Sequence, residues 1–161
     1  MLATLCTLVL TAPALAQRSQ DAQDLQARWA TPSTDSVTLE QLVAASSRLL
    51  DQRVYTAVLS AARNTGASRA VRFAALRVLA AFVNNSTLIN PDDLAKPNPD
   101  TTVIAQFSTI SGGVAQRIGS QPLATNVPND IRALFAALSV TDVDPTVRRA
   151  CRSLRDWFSR H

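Results

Sequence analysis

The sequence predicts a mainly α-helical fold: a short array of stacked helix hairpins interrupted by an irregular loop and a β-hairpin. Three observations lead to it. A pattern occurs twice, as Ser68-Arg-Ala-Val-Arg-Phe-Ala-Ala-Leu-Arg-Val-Leu and, in outline, as Asp144-Pro-Thr-Val-Arg-Arg-Ala-Cys-Arg-Ser-Leu-Arg. In each copy a helix-capping residue precedes a Val-Arg pair by three positions, and small and apolar residues follow at helical spacing. Each copy also follows another apolar helical stretch across a short turn, as in a stacked hairpin repeat. Finally, the chain is 47% hydrophobic but only 5% aromatic. Ala, Leu and Val must therefore build the core, and small side chains let helices approach closely.

Residues 1–16 read as an export signal. Leu2 to Ala12 is a short apolar run, Pro13 ends it, and Ala14-Leu15-Ala16 offers a small-x-small cleavage site before Gln17. No Lys or Arg precedes the run, and Cys6 lies too early in it to be a lipid-attachment site. Cleavage would leave Cys151 without a partner for a disulfide. Its helical position then fits a small buried side chain better than a reactive thiol.

Residues 17–36 read as a tether, helical from about Gln20 to Arg28, broken by Pro32 and docking through Trp29. The helical repeat domain follows over 37–161, with an insertion at 84–124. Its first helix is predicted over 39–50, with Thr38 as N-cap and Gln41 completing a capping box. A second spans 52–63, ended by Asn64-Thr65-Gly66, where Gly66 is expected to adopt the left-handed C-cap conformation. A third runs from Ser68 to about Val83 and is apolar on nearly all sides, the mark of a buried helix. Arg69, Arg72 and Arg77 interrupt it. A buried guanidinium needs partners, so Arg72 is expected to meet a carboxylate or helix-end carbonyls of a neighbouring hairpin.

Residues 84–101 are irregular, with one short helical turn at Asn90-Pro91. Asn84 and Asn85 open glycosylation-type triplets that carry weight only in a eukaryotic secretory route. Over 102–123, β-branched and aromatic residues flank Ser111-Gly112-Gly113. Two adjacent glycines inside a helix would cost about 2 kcal/mol relative to alanine, so a β-hairpin is favoured over a helix. Helix returns at Pro128 and runs to about Leu138. Asp144-Pro145 caps and opens the final helix, to about Arg160.

The helix pairs 52–83 and 128–160 resemble HEAT-type repeats. The matching residues are Val71-Arg72, Ala74 or Ala75 and Val78 in one copy, and Val147-Arg148, Ala150 and Leu154 in the other. The Asp-Pro-x-Val-Arg run from Asp144 to Arg148 is the most typical piece. The two copies start about two HEAT units apart, and the irregular segment with its hairpin occupies the place of a middle unit. The resemblance spans roughly half of the chain after the signal. It implies a binding scaffold.

Candidate sites are surfaces. In the final helix Val147, Ala150, Cys151, Leu154, Trp157 and Phe158 share one apolar arc, and Arg148, Arg149, Arg152, Arg155 and Arg160 lie opposite. Fifteen of the sixteen basic residues are Arg, and the net charge is +4. This stripe is a candidate anion-binding face, for lipid head groups or polysaccharide, weighed against a solvated capping face. The insertion offers Phe107, Ile110, Gly112, Gly113 and Arg117 as a second binding surface, weighed against a simple cover for a hydrophobic groove. Arg72, Asp144 and Trp157 are structural candidates. Asp92, Asp93 and Asp100 lack calcium-loop spacing.

The only histidine, His161, is the last residue. A Ser-His-Asp set, a Cys-His pair or a zinc site therefore has nothing to be built from. The sequence thus predicts an exported, periplasmic or secreted, non-enzymatic interaction module of a bacterial cell envelope. Its partner would be a protein, with an anionic lipid or polysaccharide as the alternative. No cofactor, metal or specific nucleic acid is predicted.

Overall fold

The computed structural model describes residues 11–84 and 116–160. Six helices and two short strands are present among them. Helix α1 spans Thr11–Ala30, α2 Ser36–Ser47, α3 Gln52–Arg63, α4 Arg69–Asn84, α5 Val127–Thr141 and α6 Pro145–Phe158. Strand β1, Leu49–Leu50, lies between α2 and α3, and β2, Arg117–Ile118, precedes α5. The two strands pair in parallel, Leu49 opposite Arg117 and Leu50 opposite Ile118.

The helices come in three successive pairs. Within the second and third, α3 packs on α4 and α5 on α6. Between pairs, α1 packs on α3 and α2 on α4, and α4 carries the contacts to both α5 and α6. This makes α4 the central element, and its sequence suits that place. Every residue from Val71 to Phe82 is buried, including Arg72 and Arg77. The outer helices are amphipathic: α6 buries Val147, Ala150, Cys151, Leu154, Trp157 and Phe158 on one side. Phe158 stacks on Phe135 of α5 at 5.9 Å and meets Trp157 edge-on at 4.8 Å.

Several expectations are corrected. The segment 17–36 is more helical than expected, since α1 runs to Ala30 and starts well before Gln20, and it docks through Trp29 as the sequence suggested. Ala22, Leu25 and Trp29 fall on one side and are buried, and the Trp29 indole Nε1 donates to Ser46 Oγ at 2.8 Å. Helix α2 begins three residues early because Asp35, not Thr38, is its N-cap; the Asp35 carboxylate accepts from Thr38 N–H at 2.8 Å. Leu49 and Leu50 leave the helix for β1. Gly66 does not take the left-handed conformation. The Asn64 side chain closes the turn instead, accepting from Gly66 N–H at 3.0 Å. Helix α5 is longer than predicted and α6 stops at Phe158.

Of the predicted hairpin, 116–123 are described, and the strand there pairs with Leu49–Leu50. The remainder, with Phe107, Ile110, Gly112 and Gly113, lies outside the described residues, as do Cys6, Asn90-Pro91 and the Asp92, Asp93 and Asp100 cluster.

Candidate functional site

Two places gather polar side chains from several elements: the joint between the second and third helix pairs, and the seam around β1 and β2. At the joint, Arg72 is buried to 2% exposure. Its Nε and Nη2 donate to the Ala62 carbonyl, both at 3.2 Å, in the last turn of α3 where helix carbonyls lack intrahelical donors. Its Nη1 donates to Asp142 Oδ1 at 3.0 Å, and Nη2 pairs with Oδ2. Arg72 therefore meets both kinds of partner expected of it.

Asp142 also accepts from Asp144 N–H at 2.9 Å. Burial alone would raise the Asp142 carboxyl, but the hydrogen bonds and charge of Arg72, with the Asp144 N–H, outweigh that and hold it below its ordinary 3.8. Asp144 caps α6 through Thr146 and Val147 N–H and pairs with Arg69 at 2.9 Å. Arg77 clamps Glu40, tying α4 to α2.

At the seam, Asp51 is fully buried and caps α3. It accepts from Arg53 Nε at 3.0 Å, Arg53 Nη2 at 3.1 Å, Arg53 N–H at 3.0 Å and Gln121 N–H at 3.1 Å. Burial pushes its carboxyl up, yet these donors leave it below the ordinary carboxylate value. Arg53 reaches on to Ser120 Oγ at 2.6 Å and Ser19 Oγ at 3.3 Å. Gly119 sits directly on Asp51: a Cβ there would lie 2.5 Å from the Asp51 Cβ. Gln116 donates to Ser47 O at 3.2 Å and Ala81 O at 3.0 Å. Arg117 N–H donates to Arg48 O and Gly119 N–H to Leu50 O, at 2.8 and 2.9 Å. Arg18 Nη1 donates to Ile118 O at 3.2 Å.

The predicted basic face of α6 is partly engaged by its own chain. Arg148 is half-buried and donates to the Asp142 and Val143 carbonyls beyond the end of α5. Arg155 pairs with Asp156 and reaches Ser139 Oγ. Arg160 donates to Asp156 O, and Arg149 to Thr146 Oγ1. Arg152 is exposed and has no partner among the described residues. Trp157 is buried under this helix. Arg117, in contrast, opens toward a cleft with Arg28 and Arg48.

Sequence reading missed Arg28, Arg48, Asp51, Arg53, Gly119 and Asp142. Asp51-Gln-Arg53 ahead of a helix, and the two aspartates of Thr141-Asp-Val-Asp144, were the available signals; each looks like an ordinary cap until its distant partner is known.

Cys151 is buried. Loss of solvent, then the nearby Asp142 charge, pushes its thiol up to about 12, away from nucleophile chemistry. Among the described residues, no group of three or more His, Cys, Asp or Glu is placed to hold a metal ion, and no helix is long and apolar enough to cross a membrane.

The fold class is thus a mainly helical protein built of paired helices. The chain matches no family model, and neither curated proteins nor solved structures show a significant similarity to it.

Proposed function

We propose that this protein is a non-enzymatic protein-interaction module, a short HEAT-like scaffold that displays its central insertion. One observation carries the reading. The two ends of that insertion meet: α4 closes at Asn84, and Gln116 returns to the Ala81 carbonyl in its last turn. From there to Gln121 the chain is bonded to the α2–α3 connection. A segment that leaves and returns at one fixed base, between stacked helix pairs, is how helical repeats present binding loops.

The experiment replaces residues 86–113 with a short Gly/Ser linker and leaves Gln116 to Gln121 in place. Helicity and Tm are expected to stay close to the parent's, while capture of a discrete protein from the cell envelope at high salt is lost. Undiminished capture would overturn the reading. A polyanion-binding α6 face has less support, since Arg148, Arg155 and Arg160 are tied to their own chain.

We read the module as exported. Pro13 to Gln17 of α1 are exposed, and the first fully buried residue among the described ones is Ala22. Among the described side chains ahead of a cleavage site between Ala16 and Gln17, those of Pro13 to Ala16, none is buried.

A further inference from the structure

Three arginines meet beside the seam, each from a different element. Arg28 stands in the last turn of α1, Arg48 is the C-cap of α2, and Arg117 opens β2. All three are exposed, and they line one open cleft of about 310 Å³. None of the three guanidinium groups has an ion pair or hydrogen bond among the described residues. Asp21 and Asp24 stand on the α1 rim of the same cleft. They are held by the amides of Gln17 and Gln20, one turn earlier on α1, at 2.8 and 2.9 Å, and not by the arginines.

The scaffold under these charges is fixed. The ladder bond from Arg117 N–H to Arg48 O holds those two residues side by side. The bond from Arg18 to Ile118 O holds β2 against α1. Like charges kept together without a partner repel one another, and an incoming anion would relieve that repulsion. Planar guanidinium groups match a carboxylate through paired hydrogen bonds. The backbone that carries Arg48 and Arg117 is already in position, so binding has only the side chains left to order. The two aspartates set the sign pattern: they oppose a continuous polyanion and favour a ligand that carries cations beside its carboxylates.

We infer that this cleft seats a mixed-charge segment of a partner polypeptide, with a Glu or Asp side chain among Arg28, Arg48 and Arg117 and a basic neighbour facing Asp21 and Asp24. This rests on the protein-interaction reading and names the chemistry of the partner.

The probe is a fluorescein-labelled peptide of alternating Ala-Glu-Ala-Lys, followed by fluorescence anisotropy. It is compared with the same peptide carrying Gln for Glu, and with polyphosphate. The protein is expected to bind the Glu peptide about tenfold more tightly than the Gln peptide. Combined Arg28→Gln, Arg48→Gln and Arg117→Gln should erase that ratio, while Arg152→Gln on α6 keeps it. Circular dichroism melts check the fold of the triple variant. If it melts early, Arg28→Gln and Arg117→Gln singly should each lower the ratio. Equal binding of the two peptides, an unchanged ratio in the variants, or a preference for polyphosphate overturns the inference. Failure here with partner capture still dependent on residues 86–113 removes the cleft and leaves the scaffold reading standing. Peptide discrimination without such capture does the reverse.

Discussion

Asp142 shows how one side chain can hold two helix pairs together. It neutralises a guanidinium that α4 carries into the core, and among the described residues Arg72 has no carboxylate partner besides it. Asp142→Ala should leave that charge buried with a carbonyl alone for company. Removing one partner of a buried pair typically costs about 3–5 kcal/mol, and a denaturant melt should show a loss of that order. The pH dependence has a definite sign. Asp51, Asp142 and Asp144 are each held below the ordinary carboxylate value when folded. As pH falls, the unfolded chain therefore takes up protons first. The stability these groups supply is complete above the ordinary range near 3.8 and is lost as pH drops through their lower folded values. Thermal melts from neutral pH downward should show Tm falling in acid, and Asp142→Asn should flatten part of that fall. A Tm independent of pH through this range would contradict the assignment.

At the scale of elements, Gly119→Ala tests whether β2 is held by contact with Asp51. The added methyl would collide with a carboxylate that Arg53 and Gln121 keep in place, and overpacking of this kind costs about 1–3 kcal/mol. The strand should detach before the helices melt, so added proteolysis near residues 116–121 should precede loss of ellipticity. The helices were legible in the sequence where apolar spacing was strong. Val54, Val58 and Ala62 place α3, and Val147 to Phe158 place α6. The start of α2 was not, because Asp35 and Thr38 are equally good caps and the choice turns on which one stays extended. Strand β1 was hidden for another reason. Leu49 and Leu50 continue the helical spacing of Leu42 and Val43, and only pairing with a segment far along the chain draws them out. For the same reason Arg117 was singled out without Arg28 and Arg48, whose shared cleft exists only after α1 docks. Trp29 was the sign that α1 would dock, but eight polar residues between Gln17 and Gln26 concealed the narrow stripe of Ala22 and Leu25.

Across the whole molecule, the three helix pairs are joined through α4 by apolar contact and by three ionic clamps, Arg72–Asp142, Arg77–Glu40 and Arg69–Asp144. The doubled pattern around Val71-Arg72 and Val147-Arg148 therefore does two different jobs. The first arginine is a buried tie between pairs, and the second closes the carbonyls after α5. A repeat visible in sequence does not impose one role on equivalent residues when one copy is central and the other terminal.

The parallel seam also has a bearing on the order of assembly. Gln116 bonds to a carbonyl 69 residues earlier, and Gln121 to a carboxylate 70 residues earlier. Closing so long a stretch of chain costs entropy that neighbouring helices do not incur when they zip to each other. The helix pairs should therefore form first and the seam last. In the native protein the amides of Arg117 and Gly119 should exchange with deuterium through a partial opening, well ahead of those in the middle of α4, which wait for global unfolding.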